Sequence, residues 1–359
     1  MDALREDAAL RRLKKNLSIL PGLALVVAIA LAARWTHARV PSHIGKLVGE
    51  VIFAVGYGLL IGNVFRIPDA AKPGIKFAYQ TLLRTAIVIL GATFSFGAAL
   101  SIGGRAILMV VGLMTLTLAT ATLLGRSLGV PSKLAALIGV GTAVCGNTAI
   151  SATAPVIGAK DEETAFAIAT NTLFGTLAVF AYPILGHALG LTDPAFGTWA
   201  GTAVNDTSQV VATGFAYSVA AGNVATVVKL TRNTLMGVVI LVMGLAFASS
   251  GTGQAGSLWQ RMKQSVPVFV LGFLGMCLLN SIGAVAWLSH TLGRDLVADA
   301  QFAAKLLILI ALAGVGVGTR LSAMRKIGLK PFALGLVTAL VASGTSLLLI
   351  RLFGPAAAR

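Results

Sequence analysis

Charged and aromatic residues are scarce in this chain. Of its 359 residues, 11% are charged and 7% are aromatic, whereas a soluble domain carries about 25% charged residues. With 57% of residues hydrophobic, that scarcity excludes a soluble globular domain, a fibrous protein and a disordered chain. Cysteine is nearly absent. Cys145 and Cys277 both lie in apolar sequence, so no disulfide framework is expected. The four histidines, His37, His43, His187 and His290, have no partner at i+3 or i+4 and are expected at the membrane interface rather than at a metal. No P-loop, serine elbow, HExxH or complete dinucleotide fingerprint occurs, and no histidine lies near Cys145 to activate it. The expectation is a protein that is not an enzyme, with no catalytic residue, cofactor or metal.

What is present is apolar sequence in long runs. The mean hydropathy is +0.89, and 41 glycines suit helices that pack closely in a bilayer. The net charge of +16 comes from 28 basic and 12 acidic residues. In a soluble protein it would suggest nucleic acid as a partner. Here most basic residues punctuate the apolar runs, where they set topology and meet lipid headgroups, so no nucleic acid is expected.

A spanning helix needs about 20 apolar residues. By that measure runs fall at about 18–36, 43–64, 76–96, 105–125, 164–188, 225–248, 266–288, 300–319 and 331–353. Two further stretches, 132–158 and 195–217, are long enough but rich in small and polar residues. The fold class expected is an all-α polytopic membrane protein of 9–11 transmembrane helices, with a duplicated core and two discontinuous or re-entrant polar segments. Residues 1–17 form a cytoplasmic tail, and 18–359 form a single transmembrane transporter domain, with a first core copy at about 76–190 and a second at about 195–354.

Orientation follows from the basic residues. Arg11, Arg12, Lys14 and Lys15 hold the N-terminus in the cytoplasm, ahead of a first helix expected to be retained rather than cleaved. Arg320, Arg325, Lys326 and Lys330 form a second cytoplasmic loop only if the two polar stretches both cross or both fail to cross. The loop from His187 to Asp193 has no Lys or Arg, which favours re-entry of both. Internal echoes point the same way. Gly141-Thr142-Ala143-Val144 recurs as Gly201-Thr202-Ala203-Val204, each followed at once by a polar cluster, and Asn171-Thr172-Leu173 recurs as Asn233-Thr234-Leu235. A weaker echo links 103–129 to 328–354, pairing Arg105 with Lys330 and Arg126 with Arg351.

Irregular backbone at membrane depth is tolerated only against protein or a water-filled cavity, and half-helix ends there make ion sites. The stretches GTAVCGNTAISATAP and GTAVNDTSQVVATG are the two places that fit. Asn147, Thr148, Thr207 and Ser208 are expected to line a substrate site, completed by Thr142, Cys145, Gly146, Asn205, Gln209 and Asn233. Charged residues inside a bilayer cost several kcal/mol each and mark partners or a substrate path. Asp206 is therefore expected to carry a coupling ion. Lys229 and Arg232, one turn apart, are expected to neutralise an anion. Arg84, deep in its own run, is either a second anion-facing charge or a partner of Asp206.

The set GVGTAVCGNTAISATAPVIGAKDEETAFAIATNTLFG, FGTWAGTAVNDTSQVVATG and ATVVKLTRNTLMG resembles the sulfate exporter family. That is a provisional name for largely uncharacterised bacterial inner-membrane proteins, distantly similar to bile acid:sodium symporters. The resemblance covers nearly the whole chain after the first helix and implies a ten- or eleven-helix transporter with a duplicated core. The function expected is secondary transport, by export, of a small anion such as sulfate, sulfite or a sulfonate, driven by an H+ or Na+ gradient in the bacterial inner membrane. The alternatives are a cation/proton exchanger centred on Asp206 and a ligand-sensing module that does not transport. The expected partners are a small inorganic or organic anion, H+ or Na+ and the lipid bilayer, and a homo-oligomer is compatible with the sequence. A cysteine introduced near Arg325 should resist an impermeant reagent applied to intact cells; labelling there would reverse the orientation.

Overall fold

The computed structural model describes residues 2–41, 49–248, 268–320, 322 and 328–353, and no strand occurs among them. His43, Arg325 and Lys326 lie outside the described residues, as do the side chains of Arg11, Arg12, Lys14, Lys15 and Arg105. The chain is an all-α polytopic membrane protein. Seven described helices are long and apolar enough to cross a bilayer, and an eighth span forms if one bent pair counts as one.

The first group of helices is α1 (Asp2–His37), α2 (Glu50–Val64), α3 (Lys72–Phe77) and α4 (Leu83–Leu90), with a π-helical turn Ala78–Leu82 joining the last two. The second is α5 (Phe96–Ser127), α6 (Ser132–Ala143), α7 (Asn147–Thr153), α8 (Asp161–Ala188), α9 (Asp193–Ala203), α10 (Thr207–Tyr217), α11 (Val219–Thr234) and α12 (Met236–Ala248). Then come α13 (Val268–Ser281), α14 (Ala284–Leu292), α15 (Leu296–Gly318) and α16 (Leu329–Phe353). The apolar run at 266–288 is not straight. It bends by 69° between α13 and α14, where Gly283 takes φ +79° and ends α13 in the left-handed conformation that glycine adopts without strain.

Two packing groups follow from the small residues. Helices α1 to α4 pack with α13 and α15. Gly58 of α2 faces Ala313, Gly316 and Val317 of α15 at backbone distance, an approach only a residue without Cβ allows. Helices α5 to α11 pack with one another and with α16, around Leu137, Ile150, Trp199 and Val228. We refer to these as the panel and the core.

Both polar stretches are helical hairpins. In the first, α6 runs in, the chain breaks at Val144–Gly146, and α7 runs back; Lys133 at the start donates to the carbonyl of Gly158 at the end (2.6 Å). In the second, α9 and α10 flank a break at Val204–Asp206. Ser218 Oγ donates to Asp193 Oδ1 (2.6 Å), and the Phe196 and Tyr217 rings stack at 3.9 Å, so its two ends also meet. An arm of 11 or 12 residues is about 17 Å long, roughly half the hydrocarbon thickness. The hairpins therefore turn back partway instead of crossing. Helix α8 joins them with 28 residues, the first hairpin standing at its N-terminal end and the second at its C-terminal end. They thus enter from opposite faces. Single cysteines at Ser132 and Lys160 should be labelled from one face, and those at Gly190 and Val219 from the other. Labelling of 132 and 160 from opposite faces would mean that the first polar segment crosses.

Candidate functional site

The two hairpin tips meet beside the middle of α8. Asn171 Nδ2 donates to Asn147 Oδ1 (2.9 Å) and Asn147 Nδ2 donates to Thr172 Oγ1 (3.1 Å), which ties the first tip to α8. Asn205 Nδ2 donates to the Asn171 carbonyl (3.3 Å), and Gln209 Nε2 donates to the Thr172 carbonyl (3.1 Å) and to Thr176 Oγ1 (3.2 Å), which ties the second. Between the tips, Gly146 has φ +76°, and a Cβ there would stand 2.8 Å from Asp206 Oδ2. Glycine at 146 serves both the turn and the contact.

Breaking a helix leaves its last carbonyls without partners, and burying them unpaired costs free energy. Two cations of α11 solve this for both hairpins at once. Arg232 donates from Nε to the Ala143 carbonyl (2.6 Å), from Nη2 to that of Thr142, and from Nη1 to those of Thr202 (2.7 Å) and Val204 (3.1 Å). Lys229 Nζ donates to the carbonyls of Val144 (2.8 Å), Val204 (3.1 Å) and Asn205. The recurring Gly-Thr-Ala-Val is the last turn before each break and supplies most of these acceptors. Positive charge at a helix C-terminus is favoured by the dipole, and here two C-termini converge on two cations.

These two residues do not stand where the sequence suggested. Lys229 is 0% and Arg232 2% exposed, and both lie behind the tips, away from any cavity, with their nitrogens bonded to backbone oxygen. Thr142, Cys145, Gly146, Asn205 and Asn233 are buried on the same side. Cys145 Sγ contacts Met236 Sδ at 3.3 Å, and Asn233 Nδ2 donates to Thr207 Oγ1 (3.2 Å).

The opposite side of the tips faces a cavity of about 670 Å³ between core and panel. Asn147, Thr148, Asp206, Thr207, Ser208 and Gln209 line it, so this part of the expected set comes together. Asp206 caps α10, accepting from the Ser208 backbone N–H (3.0 Å) and Oγ (2.7 Å) through Oδ1. Arg84 of α4 lines the same cavity, its guanidinium 5.9 Å from the Phe269 ring centroid. No ion pair joins it to Asp206 among the described residues. Thr172 of α8 and Tyr79, Gln80, Thr319 and Arg320 of the panel complete the polar lining. The echo at Asn171-Thr172 held a signal for the α8 contribution. Nothing in the local pattern marked the panel residues, which are remote in sequence.

Lys229→Met and Arg232→Gln each strand several buried carbonyls and should destabilise the protein by about 3 kcal/mol or more. Thr148→Ala, at the exposed cavity surface, should cost under about 1 kcal/mol. Thermal unfolding of the solubilised protein compares them; equal stability of Arg232→Gln and wild type would remove the capping role.

Comparison with known proteins agrees with the membrane architecture. Residues 21–335 match the family model described as conserved hypothetical protein 698. A UPF0324 membrane protein of Nitratidesulfovibrio vulgaris is 32% identical over 344 residues, covering 93% of each chain. One from Agrobacterium fabrum is 32% identical over 313 residues, 86% of each. One from Streptococcus pyogenes is 34% identical over 330 residues, 90% of this chain and 94% of the relative. The chain belongs to this family, the UPF0324 membrane proteins.

Proposed function

We propose that the protein is a secondary active transporter of a small anion with a sulfate, sulfite or sulfonate type of head group, exporting it across the bacterial inner membrane. The observation that carries this reading is Arg84, a cation with no ion pair among the described residues, which shares one cavity with the N-terminal turn of α10 and the hydroxyls of Thr148, Thr207 and Ser208. A helix N-terminus and a guanidinium both favour an anion. Within the cavity lining Arg84 and Arg320 stand against a single carboxylate, Asp206, and a bound anion relieves that imbalance.

We place the opening of the cavity on the cytoplasmic side, the side from which an exporter loads. Arg320 lines both the cavity and a smaller recess shared with Arg66 and Lys72. Basic residues at span ends mark the cytoplasmic face, so the site opens toward the cytoplasm and the N-terminus lies there too. Asp206 is the coupling group, carrying H+ or Na+. Because Asp206 is the one carboxylate in the lining of this cavity, a cation/proton exchanger centred on it is the second reading.

Proteoliposomes containing the full chain, assayed with radiolabelled sulfate, sulfite and methanesulfonate under imposed pH and sodium gradients, test this. Arg84→Gln should lower anion flux about tenfold or more, the loss of one charge-assisted contact, without lowering thermal stability. Asp206→Asn should abolish the dependence on the gradient. Gradient-driven cation exchange that survives Arg84→Gln, with no anion flux in wild type, would establish the second reading instead.

A further inference from the structure

A second, basic recess adjoins the cavity, and the sequence Phe65-Arg66-Ile67-Pro68-Asp69 builds one side of it. After α2 ends, Phe65 turns extended at ψ 145°. Ile67 is buried at 7% exposure, and Pro68 fixes its own φ while restricting Ile67 to extended backbone. Arg66 therefore stands on an anchored linker. That linker meets the end of α15, where Asn63 Nδ2 donates to the Thr319 carbonyl (2.9 Å) and Arg320 Nη1 donates to the Gly62 carbonyl. Arg66, Lys72 and Arg320 line a space of about 360 Å³ with one carboxylate, Asp69. Lys72 Nζ lies 2.5 Å from Asp69 Oδ1, so that pair is neutral and the charge left over is that of Arg66 and Arg320. Neither forms an ion pair among the described residues. A guanidinium has five N–H donors, and the Gly62 carbonyl takes up one of those on Arg320.

Arg320 belongs to both spaces, and the panel wall continues the polar route inward. A Cβ at Gly318 would stand 3.6 Å from Tyr79 Cε1, so the end of α15 meets Tyr79 in the π-helical turn. Gln80 follows, and Arg84 lies five residues beyond Tyr79, roughly 7 Å along the helix axis. Cations thus recur along one route, Arg66, Arg320 and Arg84, with Tyr79 and Gln80 between the last two. We infer that the recess is a second oxyanion site, the loading station at which a sulfate- or sulfonate-type anion is captured before Arg320 passes it to Arg84 and the tips. The inference rests on the anion-transport reading and assigns its point of entry. A cleft of one charge sign concentrates its counter-ion and raises the association rate, an effect that salt suppresses by shortening the Debye length. The phosphate of an anionic lipid offers the same chemistry, so membrane composition enters the test.

Initial rates of radiolabelled sulfate, sulfite and methanesulfonate flux are measured on the full chain at ~20 and ~300 mM salt. The vesicles are phosphatidylcholine alone, or phosphatidylcholine with phosphatidylglycerol. At the lower salt Arg66→Gln should raise KM about threefold and Arg66→Glu about tenfold, with kcat unchanged. Arg66→Lys keeps the charge and should match wild type. Lys72→Gln leaves Asp69 unpaired in the recess and should raise KM as well, an independent check against misfolding of an Arg66 variant. The higher salt should erase these differences, and both membranes should show them. A wild-type KM for Arg66→Glu at low salt would overturn the inference. So would a fall in kcat at constant KM, the mark of a structural role. An effect confined to vesicles with phosphatidylglycerol would overturn it in favour of a lipid phosphate. Wild-type protein that moves none of the three anions would overturn the anion reading, and the loading station with it.

Discussion

Two buried cations hold the centre of this protein together. Without Lys229 and Arg232 the carbonyl ends of α6 and α9 would point at each other in a low-dielectric interior, two partial negative charges with no partner. With them, the ends converge and their orphan acceptors are satisfied. The desolvation of a lysine and an arginine is itself costly, and it is met here by eight hydrogen bonds to backbone oxygen rather than by a carboxylate. Everything on the cavity side follows. Once the C-terminal half of each break is tied down, the N-terminal half is free to present Asn147, Thr148, Thr207 and Ser208 to an open space.

Positive charge is thereby divided by task. Lys229 and Arg232 are structural because every direction they face is occupied by backbone. Arg84 is exposed, and a pair of rigid surfaces flanks it: the tips on the core side and Phe269 on the panel side. The same residue type does opposite work on two helices, and burial decides which. Asn171 and Gln209 belong with the first task. They clamp the tips to α8, which leaves the neighbouring Thr148 on the cavity surface.

The spans were legible in the sequence because twenty apolar residues make a long, redundant signal. The run at 266–288 turns on one glycine whose left-handed φ no hydropathy window registers, and of the run at 43–64 the described helix Glu50–Val64 has 15 residues, short of a full span. Re-entry of the polar segments was legible through parity and through the absence of Lys and Arg between His187 and Asp193. The role of Lys229 and Arg232 was not. Spacing put them on one face of α11, but which neighbour that face meets is decided by tertiary packing, and here it meets helix ends instead of the cavity. Asn171 and Thr172 were visible as a repeated dipeptide and left unassigned. Tyr79, Gln80 and Arg320 come from helices far away in the chain, so local pattern held nothing to link them to the tips.

The shared capping also limits how the protein can move. Arg232 holds the ends of both hairpins in one guanidinium, so neither tip can shift without stripping acceptors from the other. The crossing behaves as a welded joint. Any shift of the core against the panel must leave that joint whole and be taken up at the seam where α4, α13 and α15 lie against the tips. Elsewhere between core and panel, Gly49 approaches the backbone of Ala216 so closely that a Cβ there would stand 2.8 Å from its carbonyl oxygen.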